Sequence, residues 1–263
     1  MSGIDVRNLK ISFGGHLAVD DVDLRVEAGR TTGLVGESGS GKSTIGKAIV
    51  GLARASSGRI TVDGNDIDDD PGFRRTRALI QLVFQDARAA LNPRLTVGEL
   101  INEACEVLNR RQERQSSIGL DVLLDYVRLP STIKDRKPNQ ISGGQCQRVA
   151  IARALAVQPR FLILDEVTTG LDVSVQAAVL NLLNELQKQL DLGYLFISHN
   201  LAIVNAMTDF LIVLKDGRVV ESGETSEVLG SPKMEYTKSL LRAIPRLERG
   251  SLSNLMKDSS VQQ

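Results

Sequence analysis

Residues 36–44 read Gly36-Glu37-Ser38-Gly39-Ser40-Gly41-Lys42-Ser43-Thr44. This glycine-rich stretch follows an apolar run, Thr31 to Val35, and opens a stretch with helical periodicity, Lys42 to Leu52. A strand, a glycine loop and a helix start predict a phosphate-binding loop, because several backbone N–H groups then point at one anion and the helix dipole favours negative charge. An ordinary glycine-rich turn is the alternative.

Two side chains of this stretch suit a nucleotide. Lys42 is placed to neutralise the β- and γ-phosphates, and the Ser43 hydroxyl is placed to bind Mg²⁺. The sequence therefore predicts that residues 36–44 bind a nucleoside triphosphate together with Mg²⁺.

The composition is that of a soluble globular protein with a large core, since 42% of the 263 residues are hydrophobic and 24% are charged. Lys+Arg and Asp+Glu are both 32, so the overall charge attracts neither nucleic acid nor an anionic membrane. The two cysteines, Cys105 and Cys146, have no metal or redox spacing, which suits a reducing compartment.

The sequence also predicts a cytoplasmic location. Residues 1–10 lack the basic and apolar regions of a signal peptide, and no apolar run approaches the length that spans a bilayer. A membrane role would then need another chain.

Two kinds of strand pattern predict an α/β fold. Alternating polar and apolar residues indicate half-exposed strands at Val6 to Phe13, Val22 to Val26 and Arg59 to Val62. Continuous apolar runs indicate parallel strands covered on both faces at Thr31 to Val35, Phe161 to Leu164 and Tyr194 to Ile197.

Helical patterns fill much of the remaining chain. The run from Val175 to Leu190 keeps helical spacing, with Asp172 and Ser174 available as caps. Between Asp86 and Pro159 no run resembles a strand, and the spacing predicts helices at Thr96 to Arg110, Ser117 to Arg128 and Gly143 to Val157. We interpret this part as an inserted helical subdomain. A short amphipathic segment, Met234 to Ala243, leads to a polar end, Arg249 to Gln263, which we expect to be mobile.

A buried strand ends in two carboxylates in the stretch Phe161-Leu-Ile-Leu-Asp165-Glu166. Because an α/β sheet presents ligands at its carboxyl edge, Asp165 is expected to hold the Mg²⁺ that Ser43 touches. Glu166 lies one step further, where it could orient and deprotonate the water that attacks the γ-phosphate. A solvated acidic pair at a strand end is the alternative.

A second anion site is expected at Ile141-Ser142-Gly143-Gly144-Gln145, directly before a helix of good formers, Val149 to Val157. Ser142 and the backbone at Gly143 and Gly144 could bind an anion there. In isolation this stretch is equally a simple helix start.

Taken together, the motifs resemble those of the ATP-binding-cassette (ABC) ATPases over about residues 4 to 245. They stand in the family's order: residues 36–44, Gln85, Ser142 to Gln145, Asp165-Glu166, Asp172 and His199. The resemblance implies a P-loop NTPase (RecA-like) core with an antiparallel β-subdomain and an inserted helical subdomain. It places the core at 4–86 and 159–230, the helical subdomain at 87–158 and a C-terminal extension at 231–263.

The resemblance also implies that ATP is shared between two ATPase chains. In that family the stretch matching Ser142 to Gln145 crosses a head-to-tail dimer and caps ATP on the phosphate loop of the partner. Asp172 matches a residue of the dimer seam, although it could be only a helix cap. Gln85, after the expected strand Leu79 to Phe84, should touch Mg²⁺ or the attacking water; an exposed polar strand end is the alternative.

Two further positions match nucleotide contacts of the family. His199 resembles the switch histidine that contacts the γ-phosphate, and a structural histidine is the alternative. Phe13 resembles the aromatic residue that stacks on adenine, although a strand phenylalanine is more often part of a core. Three residues depart from the family pattern: Val167 stands in place of proline, Cys146 in place of a polar residue and Asn200 in place of aspartate.

Two stretches resemble importers of oligopeptides, dipeptides and nickel: Gln85-Asp86 with Ala89 to Val97, and Val220 to Gly223 with Tyr236 to Pro245. This resemblance implies two permease subunits, a paralogous ATPase partner and an extracytoplasmic solute-binding protein, with the chain at the cytoplasmic face of the membrane. Some relatives carry a cysteine cluster near the C-terminus, and with only two cysteines here we predict no iron–sulfur centre.

Two other functional classes remain open from the sequence. One is a soluble ABC-type clamp that ATP switches without transport, although such proteins often fuse two cassettes or insert long coiled coils. The other is a P-loop kinase for small molecules, which has no use for Ser142 to Gln145.

Overall fold

The computed structural model describes residues 3–68, 76–110 and 118–243. Part of the predicted helix from Ser117 and the whole predicted mobile end from Arg249 lie outside the described residues. The strands are β1 (Gly3–Phe13), β2 (His16–Glu27), β3 (Thr31–Val35), β4 (Ser57–Val62), β5 (Asn65–Asp66), β6 (Ile80–Val83), β7 (Phe161–Asp165), β8 (Gly193–Ile197), β9 (Phe210–Lys215) and β10 (Arg218–Glu224).

Helices connect and cover these strands. They are α1 (Lys42–Ile49), α2 (Thr76–Leu79), α3 (Ala87–Ala90), α4 (Val97–Arg110), α5 (Leu120–Tyr126), α6 (Gly143–Leu155), α7 (Val173–Leu190), α8 (Leu201–Met207), α9 (Thr225–Gly230) and α10 (Glu235–Arg242). Two 3-10 turns, Ser131–Asp135 and Pro138–Gln140, lie before α6. Within the described stretches of 87–158 the elements are helical and none is a strand.

The strands form two sheets. The smaller sheet is antiparallel with the order β2-β1-β4-β5, and the larger has the order β10-β9-β3-β8-β7-β6. In the larger sheet β6, β7, β8, β3 and β9 run parallel, and only β10 is antiparallel to its neighbour. The fold is therefore the α/β P-loop NTPase architecture with an additional antiparallel sheet.

The central strands are buried on both faces, which explains their continuous apolar sequences. Along β7, Phe161 and Ile163 face one core, which includes the small sheet and α1. Leu162 and Leu164 face a second core, formed with α6, α7 and α8. Because side chains alternate along a strand, one apolar run supplies both cores.

Among the described residues, no helix is both long and apolar enough to cross a membrane.

Candidate nucleotide site

The register of the large sheet brings four strand ends to one edge. Val83 of β6 pairs with Leu164 of β7, and Asp165 pairs with Ile197 of β8. Ile197 in turn pairs with Leu34 of β3. The strands are parallel, so the segments after them start at the same edge. These segments carry residues 36–44, Gln85, Glu166 and His199.

Glycine is required at two positions of the loop between β3 and α1. At Gly36, an added Cβ would lie 2.1 Å from the Leu214 carbonyl oxygen of β9. Gly41 has φ 102°, in the left-handed region, and an added Cβ there would lie 2.6 Å from the Ala18 carbonyl oxygen of β2. Since side chains are excluded at both positions, the loop backbone packs directly against β2 and β9.

The loop holds the Lys42 side chain inside its curve. Lys42 Nζ donates to the carbonyl oxygens of Gly36 (2.9 Å) and Glu37 (2.7 Å), and to Ser40 Oγ (3.3 Å). Lys42 is only 5% exposed, and this burial lowers its pKa, although the charges of Glu166 and Asp165 oppose the shift. The loop therefore holds the Lys42 ammonium group through its own oxygen atoms.

A hydrogen bond joins the loop to the acidic strand end. Ser43 Oγ donates to Asp165 Oδ1 over 2.9 Å. Asp165 is buried, and burial raises the pKa of its carboxyl, with a further increase from the Glu166 charge, while the Ser43 hydrogen bond opposes the rise. A hydroxyl and a carboxylate oxygen at this separation are the hard oxygen ligands that Mg²⁺ prefers.

Glu166 is oriented by contacts on both of its carboxylate oxygens. His199 Nδ1 lies 3.1 Å from Oε1, and Thr169 Oγ1 donates to Oε2 over 3.3 Å. The backbone of Glu166 has φ 49°, which is unusual for a residue with a side chain, and its N–H donates to the Ile197 carbonyl oxygen. The turn thus aims the carboxylate away from the strand and toward His199.

Gln85 is exposed and lies two residues beyond β6, before the short helix α3. Within the described residues it makes no hydrogen bond to Ser43 or Asp165. The structure therefore places Gln85 at the same sheet edge as Asp165 without joining the two side chains.

The second predicted anion site lies at the start of α6. Ser142 is its N-cap: Ser142 Oγ accepts from the Gln145 N–H (3.2 Å), and Gln145 Oε1 accepts from the Ser142 N–H (2.9 Å). Gly144 packs so closely on α7 that an added Cβ would lie 2.5 Å from Val175 Cγ1. In the described part of the chain, residues 142–145 make no hydrogen bond to residues 36–44.

Asp172 occupies the N-cap position of α7, but its side chain makes no capping hydrogen bond. The prediction that its side chain caps the helix is therefore wrong, and Ser174 lies inside the helix rather than at its cap. The Asp172 side chain is exposed, and its neighbour Leu171 lies 3.7 Å from a Cβ added at Gly143, at the start of α6.

Phe13 is 53% exposed at the end of β1, opposite His16 in the β1–β2 hairpin. The alternative that the Phe13 ring is part of a core is therefore wrong. The hairpin that carries Phe13 is anchored to the loop, because β2 contacts Gly41 at Ala18.

The three departures from the family pattern have structural explanations. Val167 is 1% exposed and belongs to the core beside the sheet. Cys146 is equally buried, and burial raises the pKa of its thiol, which donates to the Pro138 carbonyl oxygen over 3.5 Å. Asn200 caps α8, since Asn200 Oδ1 accepts from the Ala202 and Ile203 N–H groups.

Three residues around the site are missing from the sequence predictions. Thr169 holds Glu166, as described above. Arg88 of α3 donates to the Ile141 carbonyl oxygen over 2.7 Å and so ties the segment after Gln85 to the start of α6. Tyr236 of α10 contacts the phosphate loop at Glu37. Only the short spacing from Glu166 to Thr169 could have indicated one of these contacts from the sequence.

A phosphate loop between a central parallel strand and a helix, joined to an acidic neighbouring strand end, defines a P-loop nucleoside triphosphatase. A family model described as "ABC transporter" matches residues 19–169. The oligopeptide transport ATP-binding protein OppF of Lactococcus lactis subsp. lactis is 44% identical over 234 residues, covering 88% of this chain and 73% of that protein. The chain belongs to the ABC transporter family and is an ATPase of that family.

Solved structures agree with this assignment. The structure of cbiO1 from Clostridium perfringens, described as part of the ABC transporter complex cbiONQ, superposes with a TM-score of 0.76 at 30% identity, covering 94% of this chain and 98% of that one. The dimeric ATP-binding cassette MJ0796, bound to ADP and Pi, gives a TM-score of 0.72 at 28% identity, covering 84% and 98%.

Proposed function

We propose that this chain energises an ABC importer for peptides by binding and hydrolysing ATP at the edge of its large sheet. The Ser43–Asp165 hydrogen bond carries the proposal, because it connects the phosphate loop to the acidic strand end in one site. The transport name of the OppF relative favours this function over a soluble clamp.

In this proposal the loop binds the triphosphate. Backbone N–H groups of residues 36–44 face the phosphate oxygens, and Lys42 exchanges its contacts with Gly36 and Glu37 for the β- and γ-phosphates. The exposed Phe13 ring stacks on adenine from the side of the hairpin. Ser43 and Asp165, with Gln85 from the neighbouring strand end, would hold Mg²⁺, which offsets negative charge on the phosphates.

Glu166 acts as the general base. It accepts a proton from the attacking water while the water oxygen bonds to the γ-phosphorus and the bond to the ADP oxygen breaks. His199 and Thr169 keep the carboxylate oriented, and His199 contacts the γ-phosphate from the end of β8.

A second ATPase chain completes the enclosure in a head-to-tail dimer. Ser142 Oγ already accepts a hydrogen bond from Gln145, so its own proton is free to be donated to a phosphate held by the partner. Gly143 and Gly144 add backbone N–H groups, and Asp172 lines the seam. The MJ0796 structure, which is dimeric and holds ADP and Pi, supports this arrangement.

We further propose that the partner ATPase is a paralogue and that both chains bind two permease subunits at the cytoplasmic face of the membrane. An extracytoplasmic solute-binding protein would deliver the peptide, and nucleic acid has no part. In this scheme residues 4–86 and 159–230 form the nucleotide-binding core, while residues 87–158 form the subdomain that transmits closure to the permeases.

The proposal is tested by complementing a strain that lacks the chain with wild type, Glu166→Gln or Glu185→Gln. Glu185 lies exposed on α7 and pairs with Arg128, so it controls for loss of one carboxylate. We expect wild type and Glu185→Gln to restore uptake of a labelled tripeptide, and Glu166→Gln to restore none, because ATP still binds but the base is lost.

Uptake of radioactive nickel is measured in the same strains and should not depend on the chain. Tripeptide uptake with Glu166→Gln would reject Glu166 as the base. Nickel uptake that follows the chain, without tripeptide uptake, would reject the peptide assignment.

A further inference from the structure

The outer side of the phosphate loop contacts the helix α10, which follows the large sheet in the chain. Tyr236 OH accepts a hydrogen bond from the Glu37 backbone N–H over 3.2 Å. Glu37 is the second residue of the loop, and its carbonyl oxygen accepts from Lys42 on the inner side. This one residue therefore carries a contact to Tyr236 on one side and a contact to the phosphate-binding cation on the other.

Tyr236 is held by a contact of its ring and by hydrogen bonds of the chain that precedes α10. Lys215 Nζ, at the end of β9, lies 5.0 Å from the centroid of the Tyr236 ring. Glu221 of β10 holds the chain just before α10, since its carboxylate accepts from the Lys233 N–H (2.7 Å) and the Met234 N–H (3.2 Å). The phenol is thus supported by the β9–β10 hairpin and is not a loose surface side chain.

The same hairpin touches the loop at two other points. The Gly217 N–H donates to the Ser40 carbonyl oxygen over 3.1 Å. The Leu214 carbonyl oxygen packs against Gly36 where no side chain would fit. Together with Tyr236, these contacts hold the loop backbone from the outside at its beginning and at its middle.

We infer that Tyr236 is a positioning residue of the nucleotide site, which keeps the first turn of the phosphate loop in the conformation that receives the triphosphate. The inference rests on the proposed function, since it assigns a role at the same site. The physical reason is preorganisation: a loop already held in its bound shape loses less conformational freedom when the ligand binds. The phenol does not touch the reacting atoms, so its loss should weaken ATP binding and leave the chemical step intact.

The test compares Tyr236→Phe with Tyr194→Phe. Tyr236→Phe keeps the ring over Lys215 and removes only the oxygen that Glu37 contacts. Tyr194 OH donates to the Leu183 carbonyl oxygen over 2.9 Å in the core, so its variant loses a tyrosine hydrogen bond elsewhere. For Tyr236→Phe we expect a Kd for ATP about threefold to tenfold higher, because one hydrogen bond is lost, with an unchanged kcat. Tyr194→Phe should keep the wild-type Kd.

The second readout needs no nucleotide. The exchange rate of the Glu37 amide, measured by NMR in the nucleotide-free protein, should rise in Tyr236→Phe while the amides of α10 exchange as in wild type. Wild-type values for both Kd and Glu37 exchange in Tyr236→Phe would overturn the inference. Wild-type protein that binds no ATP would instead overturn the proposed function, so the two failures are distinguishable.

Discussion

At the scale of single residues, the Asp165 carboxyl lies in surroundings that disfavour its ionised form. Its carboxyl is buried at the end of β7, its hydrogen-bond donor is the neutral Ser43 hydroxyl, and the Glu166 charge lies next to it. Burial and the Glu166 charge favour the protonated form and outweigh the opposing effects of the Ser43 hydrogen bond and the nearby lysines, so the pKa of Asp165 lies above its ordinary value of 3.8. Without a bound cation, the ionised carboxylate opposes folding.

Asp165→Asn should therefore stabilise the nucleotide-free protein at pH 7. Because folding raises the pKa, the folded state binds more protons than the unfolded state, and the free energy of unfolding of the wild type falls as the pH rises from 3.8 through the raised pKa. The asparagine variant has no carboxyl to ionise, so its free energy of unfolding does not fall in this way. Its side-chain oxygen can still accept a hydrogen bond from Ser43. We expect its advantage to be absent below pH 3.8 and complete above the raised pKa.

Urea unfolding at a series of pH values measures this difference. Asp172→Asn, at an exposed position, controls for the replacement of a carboxylate by an amide. A wild type that equals or exceeds Asp165→Asn in stability at pH 7 would show that burial does not govern this carboxyl.

At the scale of elements, the sequence predicts the buried strand β3 and the helix α4 closely, but it does not predict strands β9 and β10. The β3 run from Thr31 to Val35 has the predicted bounds, because a fully buried parallel strand must be apolar along its whole length. The helix from Val97 to Arg110 differs from its prediction by one residue. Strand β9 has an apolar run from Phe210 to Leu214, but a short apolar run fits a strand or a buried helix equally well.

The contact between α6 and α7 gives a prediction with a matched pair of glycines. In Gly144→Ala the new Cβ would lie 2.5 Å from Val175 Cγ1, so either the Val175 side chain or the α6 backbone must shift. In Gly143→Ala the nearest atom would be Leu171 Cδ2 at 3.7 Å, an ordinary contact. We expect Gly144→Ala to lower the free energy of unfolding by about 1 to 2 kcal/mol, while Gly143→Ala leaves it unchanged or slightly raised.

Chemical denaturation of both variants checks this prediction. Equal stability of the two alanine variants would show that the α6–α7 packing tolerates a methyl group at either position.

At the scale of the whole molecule, the order of the motifs in the sequence predicts which residues form the site. It does not predict the long-range contacts that support them. The order of residues 36–44, Asp165-Glu166 and His199 could be read from the sequence, and the structure brings them to one sheet edge. The contact of Tyr236 with Glu37 spans 199 positions, so neither periodicity nor spacing predicts it. It depends on how the β9–β10 hairpin directs α10 back to the loop.

The whole molecule also divides the proposed ATP contacts into two groups. One group surrounds the phosphate loop, and the other, Ser142 to Gln145 with Asp172, lies at the start of α6 and α7. Among the described residues, the second group makes no hydrogen bond to the loop of its own chain. We therefore propose that ATP is enclosed between two opposed ATPase chains and that one chain alone forms only half of each site.

The most direct test measures the rate of ATP hydrolysis per chain, for the isolated chain and for its complex with a co-purified ATPase partner, over a range of protein concentrations. Sedimentation in the same buffers gives the fraction of dimer. We predict that the rate per chain rises with the dimer fraction and approaches zero for the monomer. A monomer that hydrolyses ATP as fast as the paired chains would contradict it.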